Sequence, residues 1–201
     1  MAPLTPLRAP TAYFCRGDRP SLALAAGIVT AQALAVTVLV WLFMKRVIDR
    51  IGLSPSEASQ IESALGGALV GVFVAVFVGW GLLAALVHVF MWFADAERGF
   101  GATLAVVGEA EIVGLVLLPV TAVGLYSLVG TIPADPQAAA EYMERATSSN
   151  TPLLVLTSFV GTVWKATIQG LGLATVHDIG PGKALALTFV LGFLGLLLNL
   201  V

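Results

Sequence analysis

Five apolar runs occupy most of this chain, and their length dictates the solvent it folds in. A bilayer core about 30 Å thick is crossed by roughly 20 apolar residues in helical form. The runs are 21–44, 64–94, 102–130, 151–176 and 184–201 of a chain of 201 residues. The first two hold no formal charge, the third is interrupted early by Glu109 and Glu111, and the fourth carries Lys165 near its middle. Run length excludes strands. The expected fold is all-α: a polytopic transmembrane helical bundle of about five spans, with short interfacial helices. Composition points the same way, because 11% of residues are charged where a soluble domain carries about 25%. Lipid must solvate most of the remaining side chains. The spans form one domain over 21–201, preceded by an interfacial segment over 1–20. The polar stretches between them are too short for a separate core.

Local signals set the boundaries. Leu53-Ser54-Pro55-Ser56-Glu57 reads as an N-cap serine, a proline at the first helical position and a glutamate at the third. It predicts one helix from Pro55 to Ala94, longer than a single crossing, which must tilt or protrude. Asp178-Ile179-Gly180-Pro181-Gly182-Lys183 is a short turn rich in breakers, so the fourth and fifth spans should form an antiparallel hairpin. Residues 1–20 hold four prolines, with Tyr13 and Phe14 between Arg8 and Arg16, a mixture suited to the headgroup zone. Residues 135–147 suit the surface too: Asp135 can cap a helix starting at Pro136, and Glu141 and Arg145 are spaced as an i,i+4 pair.

Charge excludes some functions. Twelve acids against ten bases do not suit nucleic acid, which selects basic patches. The single cysteine, Cys15, leaves no intrachain disulfide and no CxxC metal site. The first run is too long for a signal-peptide core, and Lys45 and Arg46 follow it like a stop-transfer flank. Arg8, Arg16, Arg19, Arg98 and Lys183 fall on the N-terminal side and Lys45, Arg46, Arg50 and Arg145 on the other. That narrow margin places the N-terminus in the cytoplasm and the C-terminus outside the cell membrane.

Two spans carry small residues at four-residue spacing: Ala23, Gly27, Ala31 and Ala35 in the first, Gly67, Gly71, Ala75 and Gly79 in the second. Each series keeps to one slowly drifting helix face. Lipid gives no hydrophobic drive for association, so close backbone approach matters. The two spans are expected to pack through these seams.

Six ionisable residues lie within or beside the runs: His88, Glu109, Glu111, Lys165, His177 and Asp178. Charge at bilayer depth costs about 2.5–3.5 kcal/mol at the helix centre. Five of them fall in the half of the membrane nearer the N-terminus, and Lys165, near mid-depth, can reach towards Glu111. Two readings stay open: a polar pocket that binds a headgroup, an ion or a proton, or span-end residues with one pair neutralising Lys165. His88, His177 and a carboxylate are suitable zinc ligands but lack diagnostic spacing. No serine stands in a nucleophile elbow and no glycine-rich loop cradles phosphate. Neither a catalytic set nor a metal or cofactor is expected.

From the end of the second span the order of residues is distinctive. Gly79-Trp80, His88, Gly99-Phe100, Thr103-Leu104 and Gly108 resemble the Yip (Ypt-interacting protein) domain family in its prokaryotic form. Leu7-Arg8-Ala9-Pro10 with Tyr13-Phe14 is similar to that family's N-terminal pattern. Trp164, Gly170-Leu171 and Lys183-Ala184 resemble its last two spans. Where the family often has an aromatic after the third-span glycine, Glu109 follows Gly108 here. The resemblance implies five spans and a cytoplasmic N-terminus. Eukaryotic relatives engage small prenylated GTPases in vesicle traffic, but the 20-residue arm shows no docking motif for one.

Three functions are therefore weighed. One is a non-enzymatic membrane-organising or trafficking-type scaffold, with membrane lipid and a second copy or another membrane protein as its partners. Another is a small transporter or channel component using the polar half-membrane pocket, against which stands the lack of an inverted repeat. An intramembrane enzyme has least support.

Overall fold

Three of the helices begin where a side chain satisfies one of the first free backbone N–H groups. The computed structural model describes residues 5–16, 18, 20–93, 99–146 and 152–198. After a short α1 (Pro10–Phe14), Ser21 caps α2 (Leu22–Arg50), its hydroxyl accepting from the Leu24 N–H. Ser54 and Glu57 make the expected capping box at the start of α3 (Pro55–Trp92). That helix has 38 residues, about 57 Å at 1.5 Å per residue, nearly twice the hydrocarbon core. The third run is helical throughout but changes pitch at Glu111, where α4 (Phe100–Ala110) passes into α5 (Ile112–Val129). The Glu111 N–H donates to Gly108 O and the Gly114 N–H to Glu111 O, both tight i,i+3 bonds.

Asp135 caps α6 (Pro136–Ala146), accepting from the Ala138 N–H at 2.8 Å. The expected Glu141–Arg145 pair falls on the Arg145 side chain, which lies outside the described residues, as do Arg19, 94–98, Thr151 and 199–201. Helix α7 (Pro152–His177) and α8 (Pro181–Leu198) form the expected hairpin. Asp178 takes φ 51°, and the Ile179 N–H returns to Ala174 O. This is a Schellman closure with aspartate in the left-handed position that glycine usually fills.

Among the described residues, four helical stretches are long and apolar enough to cross a membrane: 22–50, 55–92, 100–129 and 181–198. Helix α7 has the length, 26 residues or about 39 Å, but its surface is different. It carries Lys165, Gln169 and His177 and buries nine residues against its neighbours. About five spans is therefore four apolar helical stretches and a fifth, partly polar helix that packs on α1, α4, α5 and α8.

Tertiary packing sharpens one expectation and changes another. The aromatic pair of the N-terminal segment faces protein. Tyr13 and Phe14 are buried, and α1 packs on α7 within the main hydrophobic cluster. A Cβ on Gly172 would stand 2.7 Å from the Phe14 ring, so glycine makes the socket for that ring. A pair of aromatics next to Pro10 could serve lipid or protein; the gap at Gly172 decides for protein.

The seams also move. Helices α2 and α3 do pack together, but not through Ala23, Gly27, Ala31 and Ala35 or Gly67, Gly71, Ala75 and Gly79. A Cβ on any of Gly27, Gly67, Gly71 or Gly79 would meet nothing within 4 Å. The buried positions in the first half of α2 are Ala25, Val29 and Ala33, two residues on and about 200° round the helix. Close packing falls instead where α4 meets α2 and α3, and where α7 meets α8. A Cβ on Gly108 would come within 2.8 Å of both Ala25 Cβ and Trp80 Nε1, and one on Gly170 within 2.9 Å of the Leu185 Cα. An alanine- and glycine-rich helix has small residues on both faces; the partners available decide which face is covered.

Candidate functional site

Much of the polar interior is built from side chains that meet a partner on another helix. Thr103, on the first turn of α4, is fully buried. Its hydroxyl lies 3.0 Å from His88 Nδ1 on α3 and 2.9 Å from His177 Nε2 at the end of α7. One hydroxyl carries one proton, so it can donate to one ring nitrogen while accepting from the other. The two imidazoles, 6.3 Å apart between centroids, are thus coupled through a single oxygen. Phe100 stands edge-on to His88, shielding that side. At the next residue of α4, the Trp80 indole N–H donates to Leu104 O at 2.9 Å, and Gly108, one turn on, leaves room for the ring.

Glu109 is fully buried and one of its oxygens accepts from the Ser21 N–H at 2.6 Å. Ser21 is the N-cap of α2. The carboxylate therefore satisfies a helix N-terminus 88 residues away in sequence, where the macrodipole favours negative charge. Glu111, on the α4–α5 junction, forms an ion pair with Lys165 of α7. Gln32 of α2 lies beside Gly114, one turn below that pair, and the buried Gln169 is one turn from Lys165 on α7.

The six residues singled out in sequence are thus distributed over three connections and one turn. His88 and His177 converge through Thr103, Glu111 meets Lys165, and Glu109 caps α2. Asp178 is exposed in the α7–α8 turn, where backbone geometry rather than a ligand accounts for it. Among the described residues no group of three or more His, Cys, Asp and Glu side chains could hold a metal ion. Among the described residues, grooves open elsewhere beside Trp41 and Glu62, along Leu34 and Pro119, and between Arg46 and Tyr126.

Residue-level reading missed Thr103, Ser21 and Trp80 as members of the network. Threonine is common in membrane spans and usually bonds its own helix, as Thr30, Thr167 and Thr175 do here. Only a histidine facing it from each of two other helices makes Thr103 different. Thr103→Val keeps the shape and removes the hydroxyl, leaving two ring nitrogens without their shared partner. It should lower stability in detergent by about 1–2 kcal/mol, with serine restoring most of it. Indistinguishable unfolding midpoints for wild type and valine would refute the coupling.

No curated protein and no solved structure matches the chain. A family model does: the Yip1 domain, over residues 6–201. The match runs from the turn that precedes α1 to the last residue, taking in the buried Tyr13–Phe14 pair, Thr103 and the α7–α8 hairpin, and so the chain belongs to the Yip1 domain family of multi-pass membrane proteins.

Proposed function

We propose that this protein is a non-enzymatic membrane-organising scaffold, acting through helix contacts with lipid and with a second copy or another membrane protein. The carrying observation is a division of labour between its faces. Inside, the histidines, both glutamates and Lys165 each meet a partner on another helix, and so serve as connections within the bundle. Outside, Gly67, Gly71, Ala75 and Gly79 present a smooth stripe along α3 with no neighbour of this chain against its glycines. Small-xxx-small stripes permit close helix approach in lipid. A transporter would instead need polar groups lining a passage; the apolar groove along Leu34 and Pro119 offers none. The cell membrane, with the N-terminus in the cytoplasm and the C-terminus outside, is the setting this reading takes.

The test uses single cysteines at Gly71 and Ala75 in a Cys15→Ser background. In native membranes they should crosslink to a second copy or to a discrete membrane partner. Gly71→Ile, which has room within the chain, should abolish the product formed by the Ala75 cysteine while leaving the unfolding midpoint unchanged. Failure of both positions to crosslink to anything, with a chain that stays monomeric, would sink the scaffold reading. Flux through proteoliposomes, lost in Glu111→Gln, would favour transport in its place.

A further inference from the structure

Helices α2 and α5 run side by side in the same direction, since Gln32 lies beside Gly114, Arg46 over Tyr126, and Arg50 against Gly130 O. Their numbering rises together towards the membrane face opposite the N-terminus. Along their junction lie two hollows in line, taken together as a crevice whose chemistry changes with depth. The deeper one, about 490 Å³, is apolar and lined by Leu34, Val38, Leu42, Leu118 and Pro119 among others. One to two turns further on lies a second hollow of about 480 Å³, lined by Arg46, Asp49, Arg50 and Tyr126. The positions succeed one another at four-residue steps: 34, 38, 42, 46 and 50 on α2, then 118, 122, 126 and 130 on α5. Such steps keep them on neighbouring faces. Pro119 contributes too, because a helix-interior proline removes the donor to the carbonyl four residues back and displaces the backbone there.

The polar end is held in place before any ligand arrives. Arg50 Nε donates to Ile132 O at 2.6 Å and Nη2 to Gly130 O at 3.0 Å. Ile132 is buried with Val47 and Ala139 in a second hydrophobic cluster, and the Gly52 N–H closes on Ala134 O. The Arg46 guanidinium lies 5.8 Å from the centre of the Tyr126 ring, and both side chains are exposed. Two guanidinium groups one turn apart, against the single carboxylate of Asp49, leave this end with a net positive charge. Guanidinium forks match phosphate oxygens, and an exposed tyrosine at a span end suits the headgroup layer. From Ala31 to Arg46 the crevice covers about 22 Å of helix, close to one leaflet with its headgroups.

We propose that the α2–α5 crevice is a binding site for an anionic glycerophospholipid, its phosphate at Arg46 and Arg50 and one acyl chain along the apolar stretch towards Pro119. The site does not depend on the scaffold reading, because it lies on a different face from the α3 stripe and involves no second protein. An amphipathic ligand fits a crevice that is amphipathic along its length; a soluble phosphate would use only one end.

Delipidated protein in mixed micelles is titrated with phosphatidylglycerol or with phosphatidylcholine of the same acyl chains, and bound lipid is counted by native mass spectrometry. Wild type should prefer the anionic lipid about tenfold, the worth of roughly one charge-assisted hydrogen bond. Arg46→Gln should remove that preference; Arg50 is left in place because it also ties the 130–134 segment. Val38→Trp, which fills the apolar part without changing charge, should weaken both lipids about equally while protein folding is checked by its unfolding midpoint. Equal affinity for the two lipids in wild type, or a preference unchanged in Arg46→Gln, overturns the proposal. Competition by inorganic phosphate at the same concentration as the lipid overturns it also, since the acyl part would then contribute nothing.

Discussion

Lys165→Met should destabilise the bundle by about 3 kcal/mol, and Glu111→Gln on top of it should restore most of that loss. The reason lies in how the pair is placed. Glu111 sits at the α4–α5 junction with its side chain 10% exposed, whereas the Lys165 side chain is 29% exposed. Removing lysine leaves a carboxylate with little access to water, which must stay charged without a counterion or take up a proton. Removing the carboxylate alone leaves an ammonium on a flexible stem that can reach towards solvent. The two single substitutions are therefore unequal, with Lys165→Met the worse. The double variant replaces a buried ion pair by two neutral groups, a change that is often close to neutral. Unfolding in detergent, followed by tryptophan fluorescence for all four proteins, gives the cycle. Strictly additive effects would show that the pair is not coupled and that Lys165 works alone.

Gly170→Val should cost about 2–3 kcal/mol, whereas Gly71→Val, the same change on another helix, should stay within about 0.5 kcal/mol of wild type. A Cβ on Gly170 would lie 2.9 Å from the Leu185 Cα and 2.8 Å from Thr188 Oγ1. Leucine can turn its side chain aside, but a Cα moves only if α7 and α8 separate. That separation also breaks the Thr188 hydroxyl bond to Ala166 O, now 2.8 Å long. At Gly71 a Cβ meets nothing within 4 Å, so only helix propensity and lipid contact change. Equal effects at the two positions would mean that α7 and α8 do not meet as described. A large effect at Gly71 confined to native membranes would instead locate a partner on α3.

How much of this was readable from the residues follows from the range of each signal. The starts of α3 and α6 were legible because a capping box and an aspartate cap act over three residues. The α7–α8 turn was legible for the same reason: proline and glycine constrain their own backbone. The apolar runs identified membrane helices because the bilayer tests length and composition, which are sums over one segment. Helix α7 shows where such a sum weakens, since Lys165, Gln169 and His177 lower its apolar character while neighbours cover them.

The site was legible only as a set of residue types. The expense of charge in lipid marked His88, Glu109, Glu111, Lys165 and His177 as residues needing partners; depth along the spans put Lys165 within reach of Glu111, and nothing in the spacing named the partners of the other three. Thr103 and the Ser21 N–H are ordinary groups until helices distant in sequence bring histidines to one and a carboxylate to the other. The small-residue stripes show the same limit. Spacing by four fixes which residues share a face, but Ala25 rather than Gly27 is covered because Gly108 and Trp80 lie on that side. The sequence by itself thus determined that this chain is a bundle of membrane helices, where most of them start, and which side chains had to find partners. Only the tertiary structure decided which face of each helix meets protein and which meets lipid, because that choice depends on the shapes of all the neighbours at once.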